Sequence, residues 1–348
     1  MKVGIFNDTS RDNHFGCHAV MSVLDRELKR AGLKPAFYWS VAQDWRPFAQ
    51  KIRESKIDAI VVNGEGSIHH STERARARYL SELGSFAKRE LGVPSVLLNA
   101  TLYALDNETL RHLADFDQIF VRESGSHDYL CSEGIKSIMV PDLSFFAVSR
   151  RAAASAEQVK GDVLVTDSVL RPVAVRLNEL ATKNGYRFLP MQSKNTVSKA
   201  LLMRAWRRLH RRFGLLPEPR PKAMNKTIVS KKGFSDFIVT LQKSQGIVTG
   251  RFHTTTLAIA QHVPVLAIES NTPKIGVMLR DIFGSADRLV NISTLADAAD
   301  LSVPPLSALE KNCIDTYLDL GEESMQKMFM SIGALVEREN GKFQGAAK

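Results

Sequence analysis

Gly250-Arg251-Phe252-His253 sets an arginine and a histidine two residues apart, between two short apolar runs. Arginine presents a permanent planar fork of donors and histidine can carry a proton near neutrality, so the pair suits a small, multiply charged anion. The flanking runs, 247–248 and 263–268, have the character of buried parallel strands. Residues 254–261 between them have helical spacing and are small or aliphatic. Arg251 and His253 therefore fall on the turn at a strand's carboxyl end, opening onto a helix with Thr254 and Thr255 as candidate caps. In open α/β sheets ligands gather at this edge, because helix N–H groups and loop side chains converge there. A solvated turn or a structural hydrogen bond would have the same spacing, and spacing alone leaves both readings standing.

The elements that must position this turn alternate along the whole chain. Strands are predicted at 2–6, 35–39, 58–62, 95–98, 118–121 and 138–140, with helices at 15–31, 46–54, 72–91 and 108–114 and another ending at Gly134. Two polar stretches interrupt them: a loop from Asn7 to His14, and Asn63-Gly64-Glu65-Gly66-Ser67. Residues 149–160 lack periodicity and read as a linker. A second alternation follows, with strands at 163–166 and 186–189 and helices at 172–183, 234–243 and 275–283. A short strand is expected near Leu289, and 307–339 is mostly helical. Such alternation predicts an α/β protein with two Rossmann-like, doubly wound domains facing a cleft. The expected division is 1–150, then 151–305, then a helical segment at 306–348 packing back on the first domain.

Composition agrees with that size and class. A chain of 348 residues exceeds what a single core usually supports, and 44% apolar with 24% charged residues excludes disordered and membrane-spanning classes. The opening apolar run is too short for a signal peptide, and no run approaches the roughly 20 residues of a spanning helix. Cys17, Cys131 and Cys313 are scattered, which points to reduced, cytosolic thiols and against zinc. The net charge of +10 is not spread evenly. Residues 194–233 hold twelve Lys or Arg and one acid, Glu218, so the rest of the chain is close to neutral.

The last third carries a further pattern. The turn at 249–253 is followed by Val263-Pro264-Val265, then Pro273-Lys274-Ile275-Gly276, then 279–284. It resembles the polysaccharide pyruvyl transferase family, whose members have an S/T-x-R-x-H turn, a valine-proline strand and a lysine-led helix in that order. Weaker matches lie upstream in the family's order: Phe15-Gly16, the Gly64-Glu65-Gly66-Ser67 loop, Val121-Arg122-Glu123-Ser124, Gly134-Ile135 and Val140-Pro141-Asp142. The resemblance covers residues 3 to 284. The chain departs from it after the first strand, where Asn7-Asp8-Thr9 replaces an N-x-G-D loop, and at Gly64-Glu65-Gly66, which replaces a glycine triplet.

The resemblance implies a GT-B-like fold and transfer of the pyruvyl group of phosphoenolpyruvate onto two hydroxyls of a sugar, forming a ketal and releasing phosphate. It implies no cofactor and no metal. That chemistry needs cations for a phosphate and a carboxylate, one general acid and one general base. By match, Arg251 would clamp the donor and His253 would bind phosphate or donate a proton. Thr254, Lys274 and Glu269 would complete the donor side, Lys274 equally reading as a solvated helix-start residue. Asp142 is the first candidate base, though an N-cap role fits it as well, and Glu65 the second. Asn7, Asp8, His14, Gly64, Glu65, Gly66, Ser67 and Arg122 would meet the acceptor, turn chemistry being the alternative for the first three. His69-His70 is read as loop, since adjacent side chains diverge.

Within the basic stretch, 197–213 has helical spacing with Leu201, Leu202, Ala205, Trp206, Leu209 and Phe213 on one stripe and five arginines opposite. Such a helix suits an anionic membrane surface, and so a lipid-linked acceptor and a peripheral place at the inner face of the plasma membrane. It equally describes a helix packed on its own sheet. Nucleic acid is not expected as a partner, because no recognised module accompanies the charge. Two rivals stand beside the pyruvyl transferase reading: a glycosyltransferase of the same fold using a nucleotide-activated sugar, and a non-catalytic glycan- or membrane-binding protein.

Overall fold

A computed structural model describes residues 1–41, 43–150, 162–191, 231–297 and 302–346. The basic helix expected at 197–213 and most of the expected linker lie outside the described residues.

The first sheet has strands β1 (Lys2–Asp8), β2 (Lys34–Ser40), β3 (Ala59–His69), β4 (Ser95–Tyr103), β5 (Gln118–Val121) and β6 (Ile138–Met139). Its order is β2-β1-β3-β4-β5-β6, with every pair parallel. Between them run helices α1 (Phe15–Arg30), α2 (Ala49–Glu54), α3 (Ala75–Phe86), α4 (Asn107–Leu113) and α5 (Ser124–Ser132). Alternate strand residues feed opposite layers: Phe6, Ile60, Val62 and Leu97 enter one core, while Ile5, Ala59, Val61 and Leu98 enter the other. Burial on both faces is why these strands read as continuous apolar runs.

The second sheet holds β7 (Val163–Ser168), β8 (Arg187–Phe188), β9 (Gly246–Gly250) and β10 (Val265–Ala267), in the order β10-β9-β7-β8 and again all parallel. Its helices are α6 (Arg171–Asn184), α7 (Lys231–Gln242), α8 (Phe252–Ala260), α9 (Lys274–Phe283) and α10 (Ile292–Asp297). Leu289 makes only an isolated bridge to Ala267, where a short strand was expected. Two doubly wound sheets about a cleft form the GT-B-like arrangement expected from the sequence.

Residues 63–67, expected as a loop, are strand. β3 runs through them, with Glu65 in the left-handed region at φ 38° and a register shift before Ile68. β4 bends in step, with Asn99 at φ 57° and a shift before Ala100. Irregularities of this kind re-aim side chains at a sheet's functional edge. Gly64 serves that close approach rather than a ligand: a Cβ there would lie 2.5 Å from the Ala100 Cβ.

The two halves share packing. Phe15 of α1 stacks on Phe237 of α7, ring centroids 4.4 Å apart, and Ser144 Oγ lies 2.6 Å from Thr256 Oγ1. Helix α11 (Ala308–Ala346) touches both, placing Ile314 and Leu318 in the core of the second half and Met328, Phe329 and Ile332 against the first sheet. Among the described residues no helix is long and apolar enough to cross a membrane.

Candidate active site in the cleft

Each sheet reverses its winding once, between β1 and β3 in the first and between β7 and β9 in the second. Crevices at the carboxyl ends of such strand pairs are where open α/β sheets bind ligands. Here both crevices open onto one cleft of about 240 Å³, bounded by His14, Glu65, Gly66, Ser67, Arg122, Arg251, His253 and Lys274 among others. The helices α1 and α8 begin at its wall, and of the two only α8 lacks a side-chain cap on its N-terminal N–H groups.

Arg251 is the N-cap residue of α8 and no side chain caps that helix. Thr254 and Thr255, expected as caps, do not act so: Thr255 Oγ1 donates back to the Arg251 carbonyl, and Thr254 is fully buried below the cleft. The Arg251 fork is already oriented by Asp167, which accepts from Nε at 3.1 Å and from Nη2 at 2.5 Å. That pairing takes one edge of the guanidinium and leaves the Nη1 edge.

His253 packs on Gly16 so tightly that a Cβ on Gly16 would lie 2.2 Å from the histidine Cβ. Its Nε2 is buried without a hydrogen-bond partner among the described residues and stands 3.7 Å from Asp142 Oδ2. Asp142 was expected either as a base on a strand end facing the cleft or as an N-cap. It is fully buried, accepting from Arg122 Nη1 at 2.7 Å, and it takes the N-cap place, accepting from the backbone N–H of Ser144 at 2.8 Å. Burial opposes its ionisation, but His253, Arg122 and Ser144 outweigh that and hold its carboxyl well below the usual carboxylate range. So strongly stabilised a carboxylate is a weak base, and its geometry suits it to orienting His253 and Arg122.

Arg122 is 1% exposed, yet it borders the cleft. Thr101 Oγ1 accepts from its Nε at 2.8 Å, and its guanidinium lies 4.1 Å from the Phe252 ring centroid. Lys274 enters from the first turn of α9, donating to Asn271 Oδ1 at 2.7 Å. Burial, then Arg122, push its ammonium down to about 7 despite the opposing pull of Glu269 and Glu123. A Cβ on Gly66 would sit 3.7 Å from both Arg122 Nη2 and Lys274 Nζ, so that glycine leaves open the space between the two cations.

His14 caps α1, its Nδ1 accepting from the N–H groups of Gly16 and Cys17, which places the ring proton on Nε2. Burial, His253 and Arg251 together hold it well below its ordinary pKa and so neutral. Glu65 lines the cleft floor with both oxygens engaged, by Thr9 and Asn63 on one and Cys17 on the other. Ser67 lines the cleft too, while accepting from Asn7 Nδ2.

Four expected residues do not line the cleft apart from the buried Thr254 and Asp142. Asn7 ties β1 to β3 through the Asn63 carbonyl, and Asp8 accepts from the Ser10 N–H. Gly64 packs on Ala100. Glu269 accepts from the N–H groups of Ile275 and Gly276, capping α9 from outside the helix. Conversely, Arg74, Arg76, Asp12 and Asn271 border the cleft and Asp167 aims Arg251, none of them singled out from sequence. Arg74 is the N-cap of α3, five positions after the carboxyl end of β3, and a cation between a strand end and a helix start is the signal that could have flagged it. His69 sits beside Arg74 and Asn271 and is pushed down to about 3 by burial and then by Arg74. Among the described residues no group of three His, Cys, Asp or Glu is placed to hold a metal.

Residues 14–272 match the family model for polysaccharide pyruvyl transferase. The chain belongs to that family. Membership makes it a transferase of polysaccharide biosynthesis with a carbohydrate acceptor. A comparison with curated proteins finds no match. Among solved structures, an uncharacterised protein from Klebsiella pneumoniae subsp. pneumoniae NTUH-K2044 is similar over 83% of this chain and 92% of its own, at 12% identity and a TM-score of 0.47. UDP-GlcNAc 2-epimerase from Methanocaldococcus jannaschii is similar over 92% of this chain and 100% of its own, at 12% identity and a TM-score of 0.45. Likeness at that level bears on neither the donor nor the reaction.

Proposed function

We propose that the protein transfers the pyruvyl group of phosphoenolpyruvate onto a sugar of a surface polysaccharide or its lipid-linked precursor, forming a pyruvate ketal. The observation that carries this reading is the charge of the cleft. Among the described residues, Arg74, Arg76, Arg122, Arg251 and Lys274 border this volume with two carboxylates, Asp12 and Glu65. Phosphoenolpyruvate carries a phosphate and a carboxylate on one small frame, and it needs cations from more than one direction.

Arg251, aimed by Asp167, and the N-terminus of α8 hold the phosphate; Arg122 and Lys274 hold the carboxylate. His253 is the proton donor to the methylene carbon, its Nε2 standing 3.7 Å from Asp142 Oδ2. Protonation leaves oxocarbenium character on the central carbon, where sugar hydroxyls attack and phosphate departs. Neutral His14, with its proton on Nε2, donates a hydrogen bond to the departing phosphate.

Phosphate release from phosphoenolpyruvate, measured with a panel of sugars and glycan fragments, tests the assignment. We expect Arg251→Ala and His253→Ala each to lower turnover by about 1,000-fold or more while circular dichroism and melting stay native. Near-wild-type phosphate release by either variant would remove that residue from the mechanism.

A further inference from the structure

A second cavity of about 400 Å³ adjoins the cleft, between the carboxyl end of β4, the start of α5 and the start of α9. Its walls differ from those of the cationic cleft. Tyr103, Tyr129, Pro273 and Val277 give it mostly apolar surface, and its polar groups are few. One is unusual: Thr272 is 3% exposed, and its Oγ1 has no hydrogen-bond partner among the described residues. An unpaired buried hydroxyl costs stability unless a ligand completes it. Another is Glu123, which is 2% exposed and accepts from Ser126.

The two cavities share a partition. Lys274 borders both, and Thr101 of the second accepts from the Arg122 side chain that borders the first. An apolar, tyrosine-walled cavity with sparse and well-placed hydrogen-bonding groups is the surface a sugar ring selects, since such a ring has apolar faces and a polar edge.

We propose that this cavity seats the acceptor sugar, with its ring against Tyr103 and Tyr129, one hydroxyl on Thr272 Oγ1, and Glu123 as the general base for the reacting hydroxyl. This rests on the donor reading above. Of the residues of β1 and β3 expected to meet the acceptor, Asn7, Asp8 and Gly64 line neither cavity. In the reaction, two O–H bonds of the sugar break and two C–O bonds form at the central carbon of phosphoenolpyruvate, while its bond to the phosphate oxygen breaks. One hydroxyl proton's worth is taken up at the methylene carbon, making the methyl group, and the other leaves on phosphate. Glu123 accepts a hydroxyl proton and gives it up to the departing phosphate, so it ends as it began. Burial pushes the Glu123 carboxyl up to about 7, offset in part by Ser126 and Arg122, which suits a base that must pick up a proton near neutrality.

Saturation-transfer NMR with methyl galactoside, methyl glucoside and methyl mannoside tests this, read with and without phosphoenolpyruvate. We expect transfer from at least one glycoside to the wild-type protein. Thr272→Val, which keeps the shape and removes the unpaired hydroxyl, should weaken it about tenfold without loss of thermal stability. Val277→Trp, which fills the cavity, should abolish it, and phosphoenolpyruvate affinity should stay within about twofold in both variants. At saturating phosphoenolpyruvate, Glu123→Gln should lower phosphate release about 100-fold and remove its rise with pH through 7. Transfer undiminished in both cavity variants, or absent from all three glycosides in the wild type, overturns the inference. Sugar binding here without any phosphoenolpyruvate binding would uphold the cavity and strike the donor assignment instead.

Discussion

Lys274 is the side chain through which pH acts on the empty cleft. Burial, first, and then Arg122 push its ammonium down to about 7, which brings its titration towards neutrality. An arriving phosphate and carboxylate favour the charged form and raise the pKa in the complex, so binding takes up a proton. We therefore expect affinity for phosphoenolpyruvate to fall as pH rises through 7, where Lys274 loses its charge in the empty cleft. Calorimetry in buffers of different ionisation enthalpy would measure that uptake, and Lys274→Met should remove it. Unchanged proton uptake in the variant would place the titration elsewhere. The sequence made Arg251 and His253 legible because a strand, a turn and a helix follow one another within twenty residues. Asp167, which aims Arg251, was not legible: it lies 84 positions away and becomes a partner only when β7 pairs with β9. For Asp142 a base and an N-cap both stood open, because a strand-end aspartate looks the same in sequence whether it faces solvent or a buried arginine; the structure gives it the N-cap place.

At the scale of elements, the site depends on how closely α1 and α8 approach. Gly16 sits inside α1, where alanine would ordinarily favour the helix by roughly 0.5–1 kcal/mol. Here its Cβ would fall 2.2 Å from the His253 Cβ, so the clash wins. We expect Gly16→Ala to cost about 1–3 kcal/mol in stability and, by displacing His253, about 100-fold in turnover. Chemical denaturation and a phosphate-release assay check the two parts; a variant as stable and active as the wild type would contradict the close packing. Phe15-Gly16 had been noticed as part of a family pattern, but only the structure gives that glycine a physical reason. The stretch at 63–67 was misread for a related cause. Two glycines and a glutamate suggest a loop, yet β3 continues through them because Gly64 lets its backbone lie against Ala100.

The molecule as a whole brings two switch points to one cleft and fixes them there with a shared core. Phe15 on Phe237, Ser144 with Thr256, and the Ser124 N–H on Asp281 Oδ2 at 3.0 Å join the halves on several sides of the site. Helix α11, about 58 Å long at 1.5 Å per residue over its 39 residues, contributes apolar side chains to both cores. The alternation of strands and helices made the two sheets legible in advance, since a buried parallel strand announces itself as an unbroken apolar run. Their mutual placement was not legible, because it rests on single aromatic and hydroxyl contacts between distant segments. All of these expectations depend on phosphoenolpyruvate binding in this cleft. Titration calorimetry of the wild-type protein and Arg251→Ala against phosphoenolpyruvate, nucleotides and nucleotide sugars addresses it most directly. We expect binding of phosphoenolpyruvate alone, lost in the variant; binding of a nucleotide or nucleotide sugar in its place would rule out the pyruvyl donor and make the protein a glycosyltransferase on the same fold.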